Sequence, residues 1–252
     1  MNKIRVIARI DVKNEFAIKG IHLEGLRKVG NPNVMARNYY NDGIDEIIFM
    51  DAVAAYYDRN SLSELIQDAC KNVFVPITVG GGIRTIDDIK NALKSGADKV
   101  AINTKAVKDP NFIMQSSKIF GSQCIVSSIE AKSIKNGKWE VYTDNGREST
   151  GKDVIEWAKY VEELGAGEIM LTSIDKEGTK KGFDIDLYKS VAQSVSIPII
   201  ASGGMGQSID AVELLENANI DAIATASILH YKIESIQKIK NTLLEHQIKV
   251  RI

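Results

Sequence analysis

Pro76-Ile77-Thr78-Val79-Gly80-Gly81-Gly82 returns 122 residues later as Pro198-Ile199-Ile200-Ala201-Ser202-Gly203-Gly204. Outward from this pair, the run Gly43–Asp51 is echoed by Gly165–Asp175, with Glu46 and Glu168 again 122 positions apart. Asp98–Asn103 is likewise echoed by Asp221–Ala226. Short apolar runs recurring in one order in both halves predict a halved architecture. Two glycine-rich turns at matching places suggest one ligand held at both ends.

The apolar runs are short and mostly unalternating, as in strands buried on both faces of a parallel sheet. Eight are expected, at Arg5–Asp11, Glu46–Asp51, Val75–Gly80, Lys99–Asn103, Cys124–Glu130, Glu168–Thr172, Ile197–Ser202 and Ala222–Ala226. Helical stretches alternate with them at Pro32–Asp42, Ser61–Asn72, Thr85–Ser95, Asp109–Phe120, Lys152–Leu164, Asp184–Ser194, Ser208–Asn217 and Glu234–Gln247. Ser61 with Glu64, and Thr85 with Asp88, have capping-box spacing. Gly43, Gly96 and Gly165 stand where helix C-caps are expected. Eightfold strand–helix alternation predicts an α/β chain folded as a (β/α)8 TIM barrel. An open doubly wound sheet is the alternative, and the twofold repeat favours closure. The reading is one barrel domain over 1–252, with half-barrels of about 1–122 and 123–252. The polar piece Lys132–Gly151 interrupts the rhythm after strand five, and Trp139–Thr143 within it reads as a hairpin strand on the catalytic face.

The 252 residues carry a net charge of −1, so no global field draws the chain to nucleic acid or to a membrane. No apolar run approaches the ~20 residues of a membrane span, and no signal peptide is visible at Met1–Arg5. Cys70 and Cys124 are the only cysteines and lie outside metal-ligand spacings. A cytoplasmic protein with no metal and no cofactor is expected, its two thiols being small buried hydrophobes.

Glycines let a backbone approach a phosphate and aim N–H groups at it. Gly80–Gly82 with Asn103 and Thr104 would form one cup. Gly203 and Gly204 with Gly178, Thr179, Ala226 and Ser227 would form the other. The implied ligand carries two phosphates; tight turns without a ligand are the plain alternative. Asp11 ends strand one and Glu130 ends strand five, equivalent places that face each other across a barrel mouth. Opposed carboxylates between two phosphate cups suit acid–base chemistry, although each acid could instead cap a helix or pair with Lys19 or Lys132. Asp51 and Asp175 form a further matched pair in a supporting place. At the opposite barrel end Arg5, Glu46, Lys99 and Glu168 begin strands one, two, four and six. They can form a charged ring or remain solvated singly.

These segments resemble the cyclase subunit of imidazole glycerol phosphate synthase along essentially the whole chain. The carriers are Ile10–Lys13, Val79–Ile83, Gly96–Lys99 with Ile102–Thr104, Gly165–Ile169, Leu171–Asp175, Gly178–Lys180, Ala201–Gly204 and Ala226-Ser227. The resemblance implies a lyase of histidine biosynthesis with a glutaminase partner docked on the N-terminal barrel face as a heterodimer. Ammonia from that partner would cross a gate of Arg5, Glu46, Lys99 and Glu168 and the barrel interior. At the top it would cleave and cyclise a bis-phosphorylated ribulosyl aminoimidazole carboxamide ribotide to imidazole glycerol phosphate and aminoimidazole carboxamide ribotide. Asp11 and Glu130 then match the catalytic acids and Lys19 the lysine beside the first. Gly82, Asn103 and Thr104 match one phosphate site, and Gly178, Gly204, Ala226 and Ser227 the other.

The chain departs from that pattern at three single positions. Glu130 and Glu177 stand where the family has Asp, and Arg9 where it has a small Cys. The segment Asp51-Ala-Val-Ala-Ala-Tyr-Tyr57 also departs from the usual Asp-Ile-Thr-Ala-Ser. Period-two geometry places residues 5, 7, 9 and 11 on one face, so Arg9 is expected on the ammonia route, paired with Glu130 or Asp11. Two rival functions follow. One is a paralogue supplying ammonia for amidination of a nucleotide-activated sugar in surface polysaccharide synthesis. The other is an ammonia conduit with no chemistry of its own.

Overall fold

The computed structural model describes residues 3–52 and 62–251. The strands in chain order are β1 (Arg5–Lys13), β2 (Phe16–Ile21), β3 (Glu24–Gly30), β4 (Glu46–Asp51), β5 (Ile77–Gly80), β6 (Lys99–Ile102), β7 (Ile125–Ile134), β8 (Lys138–Thr143), β9 (Glu148–Asp153), β10 (Glu168–Ser173), β11 (Ile199–Ser202) and β12 (Ala222–Thr225). The helices are α1 (Pro32–Asn41), α2 (Leu62–Ala69), α3 (Ile86–Lys94), α4 (Thr104–Lys108), α5 (Asn111–Phe120), α6 (Val154–Glu163), α7 (Ile185–Ala192), α8 (Ser208–Asn217), α9 (Ser227–His230) and α10 (Ile236–Glu245).

Eight parallel strands, β1, β4, β5, β6, β7, β10, β11 and β12, form the wall, and β12 pairs back onto β1. The structure is therefore a closed (β/α)8 TIM barrel. Inside it, Ile7, Ile48, Ala101, Val126, Met170, Ile200, Ala222 and Ala224 form an aliphatic cluster. A second and larger core fills the space between wall and helices. Strand residues of this barrel are apolar on both faces because both faces are covered. Asn31 caps α1 ahead of Pro32, and the Thr85–Asp88 capping box forms at α3. Gly43, Gly96 and Gly165 follow helix ends at φ of 82°, 112° and 95°, where a side chain would be strained. Ser61 and the segment 53–57 lie outside the described residues. Among the described residues no helix is long and apolar enough to cross a membrane.

Two barrel strands run on beyond the wall. β1 continues into the antiparallel pair β2–β3, and β7 continues into β8–β9. They stand four places apart in the ring of eight, which is directly opposite. The β8–β9 hairpin contains the expected strand at Trp139–Thr143. It reaches further than the expected insertion, because Lys152 and Asp153 complete β9 rather than open the helix. The Asp153 side chain then caps α6 by accepting from Ile155 and Glu156 N–H. The β2–β3 hairpin is absent from the pattern reading. Its turns need left-handed Asn14, His22 and Leu23, and β3 is mostly exposed, so no apolar run marks it. Cys70 and Cys124 are free and half-buried, less enclosed than expected.

Gly167 opens β10 with a backbone that any residue could adopt, yet a Cβ there would lie 2.2 Å from the Ser122 carbonyl oxygen. Gly167→Ala is expected to cost about 1–3 kcal/mol through overpacking against backbone. A thermal melt reads this as a lowered Tm, and an unchanged Tm refutes it.

Candidate active site

At the N-terminal end of the barrel four side chains close a ring of alternating charge. Arg5 Nη1 lies 2.8 Å from Glu46 Oε1, and Nη2 lies 2.5 Å from Glu168 Oε1. Lys99 Nζ completes it at 3.2 Å from Glu46 and 2.9 Å from Glu168. The two acids are 4% and 8% exposed, so each cation offsets a desolvated carboxylate. Burial opposes the Arg5 charge, but Glu168 and Glu46 outweigh it and hold the guanidinium firmly protonated.

Above the Ile7 layer lies Arg9, buried inside the barrel. Its Nε donates to Asp11 Oδ1 at 2.8 Å, and Nη1 donates to Thr172 Oγ1 at 3.0 Å and Ser202 Oγ at 3.2 Å. Of the two expected partners, Asp11 is the one bonded. Lys19 from β2 lies 3.5 Å from Asp11 Oδ2 and also pairs with Glu177. Burial alone would raise the Asp11 carboxyl, but Arg9 and Lys19 hold it below the usual carboxylate range.

Asp11 and Glu130 occupy equivalent points on opposite strands, each where parallel pairing gives way to a hairpin. Asp11 pairs with Met50 on one side and Ile18 on the other; Glu130 pairs with Thr172 and Tyr142. Glu130 Oε2 accepts from Gly146 N–H at 2.8 Å. Burial pushes its carboxyl up to about 7, with Asp11 and Asp144 adding and the Gly146 N–H and Arg9 opposing. The two acids of one mouth are therefore shifted in opposite directions, the arrangement expected of an acid–base pair. Burial pulls the Lys19 ammonium down to about 8, against the Asp11 charge.

The glycine turns flank these acids. Gly81 and Gly82, at φ of 90° and 71°, border a cavity of about 350 Å³ with Asn103, Thr104 and Glu130. Arg84, Lys105 and Lys108 also line it, which suits an anion. Asn103 Nδ2 donates to the Tyr142 carbonyl, while its Oδ1 is buried without a partner. The second cup is narrower. Gly178, Gly203, Gly204, Ala226 and Ser227 surround a recess of about 10 Å³, which Lys19 and Glu177 also line. A neighbouring hollow of about 550 Å³ shares Lys19, Gly178 and Ser227 with it and adds Arg27 and Lys180. Gly178, at φ 72°, approaches so closely that a Cβ would lie 2.3 Å from the Gly20 carbonyl oxygen.

Asp175 accepts from Ser133 N–H at 2.7 Å and so braces the strand that carries Glu130. Asp51 is buried beside Gly81. Among the described residues no group of three or more His, Cys, Asp or Glu could hold a metal ion. Pattern reading missed Thr172 and Ser202, whose inward strand positions could have signalled them. It also missed Asp144 and Gly146, which reach the site only because the insertion folds back. Arg27 was invisible without the first hairpin.

The histidine biosynthesis protein family profile matches residues 5–234. The imidazole glycerol phosphate synthase subunit HisF of Legionella pneumophila is 61% identical over 207 residues, covering 82% of this chain and 98% of that protein. Subunits of the same name from Hydrogenobaculum sp. and Methanococcus vannielii are 46% and 44% identical, each comparison covering 98% of both chains.

Glu130 holds its proton more tightly folded than its ordinary value of 4.5 would allow unfolded. Its contribution to stability is complete below about pH 4.5 and lost as pH rises through about 7. Glu130→Gln removes that titration. The variant should gain on the parent by up to about 3 kcal/mol toward pH 8 and lose the advantage toward pH 4.5. Paired melts across this range check it, and a Tm difference flat in pH contradicts it.

Proposed function

The chain belongs to the histidine biosynthesis protein family, among the cyclase subunits of imidazole glycerol phosphate synthase, and on that premise we propose how its barrel works. It takes ammonia from a glutaminase subunit seated on the N-terminal face. With it, the barrel cleaves and cyclises the bis-phosphorylated ribulosyl aminoimidazole carboxamide ribotide into imidazole glycerol phosphate and aminoimidazole carboxamide ribotide, as a carbon–nitrogen lyase. One observation carries the reading: Asp11 and Glu130 stand opposed at the mouth, one held below the usual carboxylate range by its cations and the other raised by burial to about 7, between two glycine cups.

Each part of the molecule has a task in this reaction. Gly82, Asn103 and Thr104 hold one phosphate of the substrate. Gly178, Gly204, Ala226 and Ser227 hold the other, where the narrow second recess adjoins the larger hollow lined by Arg27 and Lys180. Fixing both ends presents the central imine and ribulosyl carbons to the two acids at low entropic cost. Asp11 accepts a proton from the incoming nitrogen, and Glu130 delivers one to the departing nitrogen. Each transfer contributes ~10²–10⁴-fold. Lys19 holds Asp11 in its ionised state. The ring of Arg5, Glu46, Lys99 and Glu168 marks where ammonia enters the barrel.

The test supplies excess ammonium at about pH 8, where some is free ammonia, together with the ribulosyl substrate. Loss of substrate and appearance of both products are followed. Turnover is expected without the partner. Asp11→Asn and Glu130→Gln are each expected to lower kcat by ~10² or more. No turnover from a folded protein that binds the substrate overturns the reading.

A further inference from the structure

Arg9 brings a full positive charge into the middle of an aliphatic barrel. Leaving water costs such a group several kcal/mol unless it is paired and hydrogen-bonded. Here it is held from three strands: Asp11 on its own β1, Thr172 on β10 and Ser202 on β11. The guanidinium is planar and its donors are fixed relative to one another, so these contacts set its orientation. Asp11 then has a cation on each oxygen, Arg9 on Oδ1 and Lys19 on Oδ2. Glu130 receives a backbone N–H, and among the described residues it forms no ion pair. Two similar carboxyls that sense each other would otherwise share their protons without a fixed assignment.

We propose that Arg9 is a positioning residue that sets the division of labour at this mouth, holding Asp11 as the standing anion and leaving Glu130 as the proton donor. Its use in turnover rests on the cyclase reading; the charge assignment itself does not. A small uncharged residue at position 9 would leave Lys19 as the cation nearest Asp11. The other charged groups are consistent with this role. Asp11 is faced by Lys19 from β2 and His230 from α9, and Asp51 ends the neighbouring β4. Glu130 is raised chiefly by burial, with Asp11 and Asp144 from the second hairpin favouring its protonated form, while the Gly146 N–H and Arg9 itself oppose it without overcoming the burial. Glu177 engages the far side of Lys19. Burial holds His230 neutral, its pKa down to about 4, so it supplies no competing charge near neutrality.

The test reads the carboxyls directly. NMR of protein carrying 13C-labelled Asp and Glu carboxyls, titrated without substrate, follows both groups, with Asp11→Asn and Glu130→Gln giving the assignments. In the parent, Asp11 should stay ionised through the near-neutral range in which Glu130 titrates. In Arg9→Met, similar in length but uncharged, Asp11 should rise by about one to three units. Arg9→Lys, which keeps the charge, should restore most of the parent titration. If Arg9→Met does not fold, Thr172→Val with Ser202→Ala releases the guanidinium and should move Asp11 the same way by less. In turnover with ammonium, the acid limb of kcat/KM should follow Asp11 upward in Arg9→Met and not in Arg9→Lys. An Asp11 titration unchanged in Arg9→Met overturns the proposal. Equal displacement in both Arg9 variants means that packing rather than charge is at work, and overturns it too. A parent without turnover whose Asp11 still rises in Arg9→Met overturns the cyclase reading alone.

Discussion

The rest of the molecule depends on one constraint: charge placed on the axis of a closed barrel has no water to retreat to. Eight strands seal the lumen, and its middle is lined by Ile7, Ile48, Val126, Met170 and their neighbours. Every ionised group on that axis must therefore find its counter-charge among side chains that are themselves buried. Below the aliphatic layer this produces the ring of Arg5, Glu46, Lys99 and Glu168. Above it the same rule produces the chain Arg9–Asp11–Lys19–Glu177. Glu130 is the exception. It meets the constraint through a proton affinity that burial raises rather than by finding a cation.

Much of this was legible in the sequence because barrel strands must be apolar on both faces. Ile-Ile-Phe-Met and Ile-Ile-Ala-Ser can be read as buried strands from composition alone, and the eight strands fell where such runs stood. Arg9 was legible for another reason: it stands where the resembling family has a small Cys, and the period of two puts it on one face with Arg5 and Asp11. What stayed hidden was local or folded back. The β2–β3 hairpin turns on left-handed Asn14, His22 and Leu23, none of them glycine, and shows solvent most of one strand. Gly146 contributes only its N–H to Glu130, a group every non-proline residue carries, so no residue-type pattern could single it out.

The two cups look alike as motifs and differ as spaces. Gly81-Gly82 opens onto a roomy, cation-lined cavity, whereas Gly203-Gly204 opens onto a recess already bordered by the Lys19–Glu177 pair. The difference follows from what each hairpin brings. β8–β9 contributes Asp144 and Asn145 at the rim of the first cup, while β2 sends Lys19 into the second. The glycine motif recurs at both cups, but the side chains arriving from outside the wall differ.

The two hairpins also meet over the mouth, where Asn145 Nδ2 donates to the Leu23 carbonyl at 3.3 Å and Gly146 packs against Leu23. The neighbouring Gly146 N–H is the one that holds Glu130. Roof and acid are thus tied through adjacent residues. Any displacement of the roof would withdraw a dipole from the carboxyl and let solvent reach it, and these act on its proton affinity in opposite senses. The seat of the roof and the strength of the acid beneath it are therefore joined by mechanics as well as by charge.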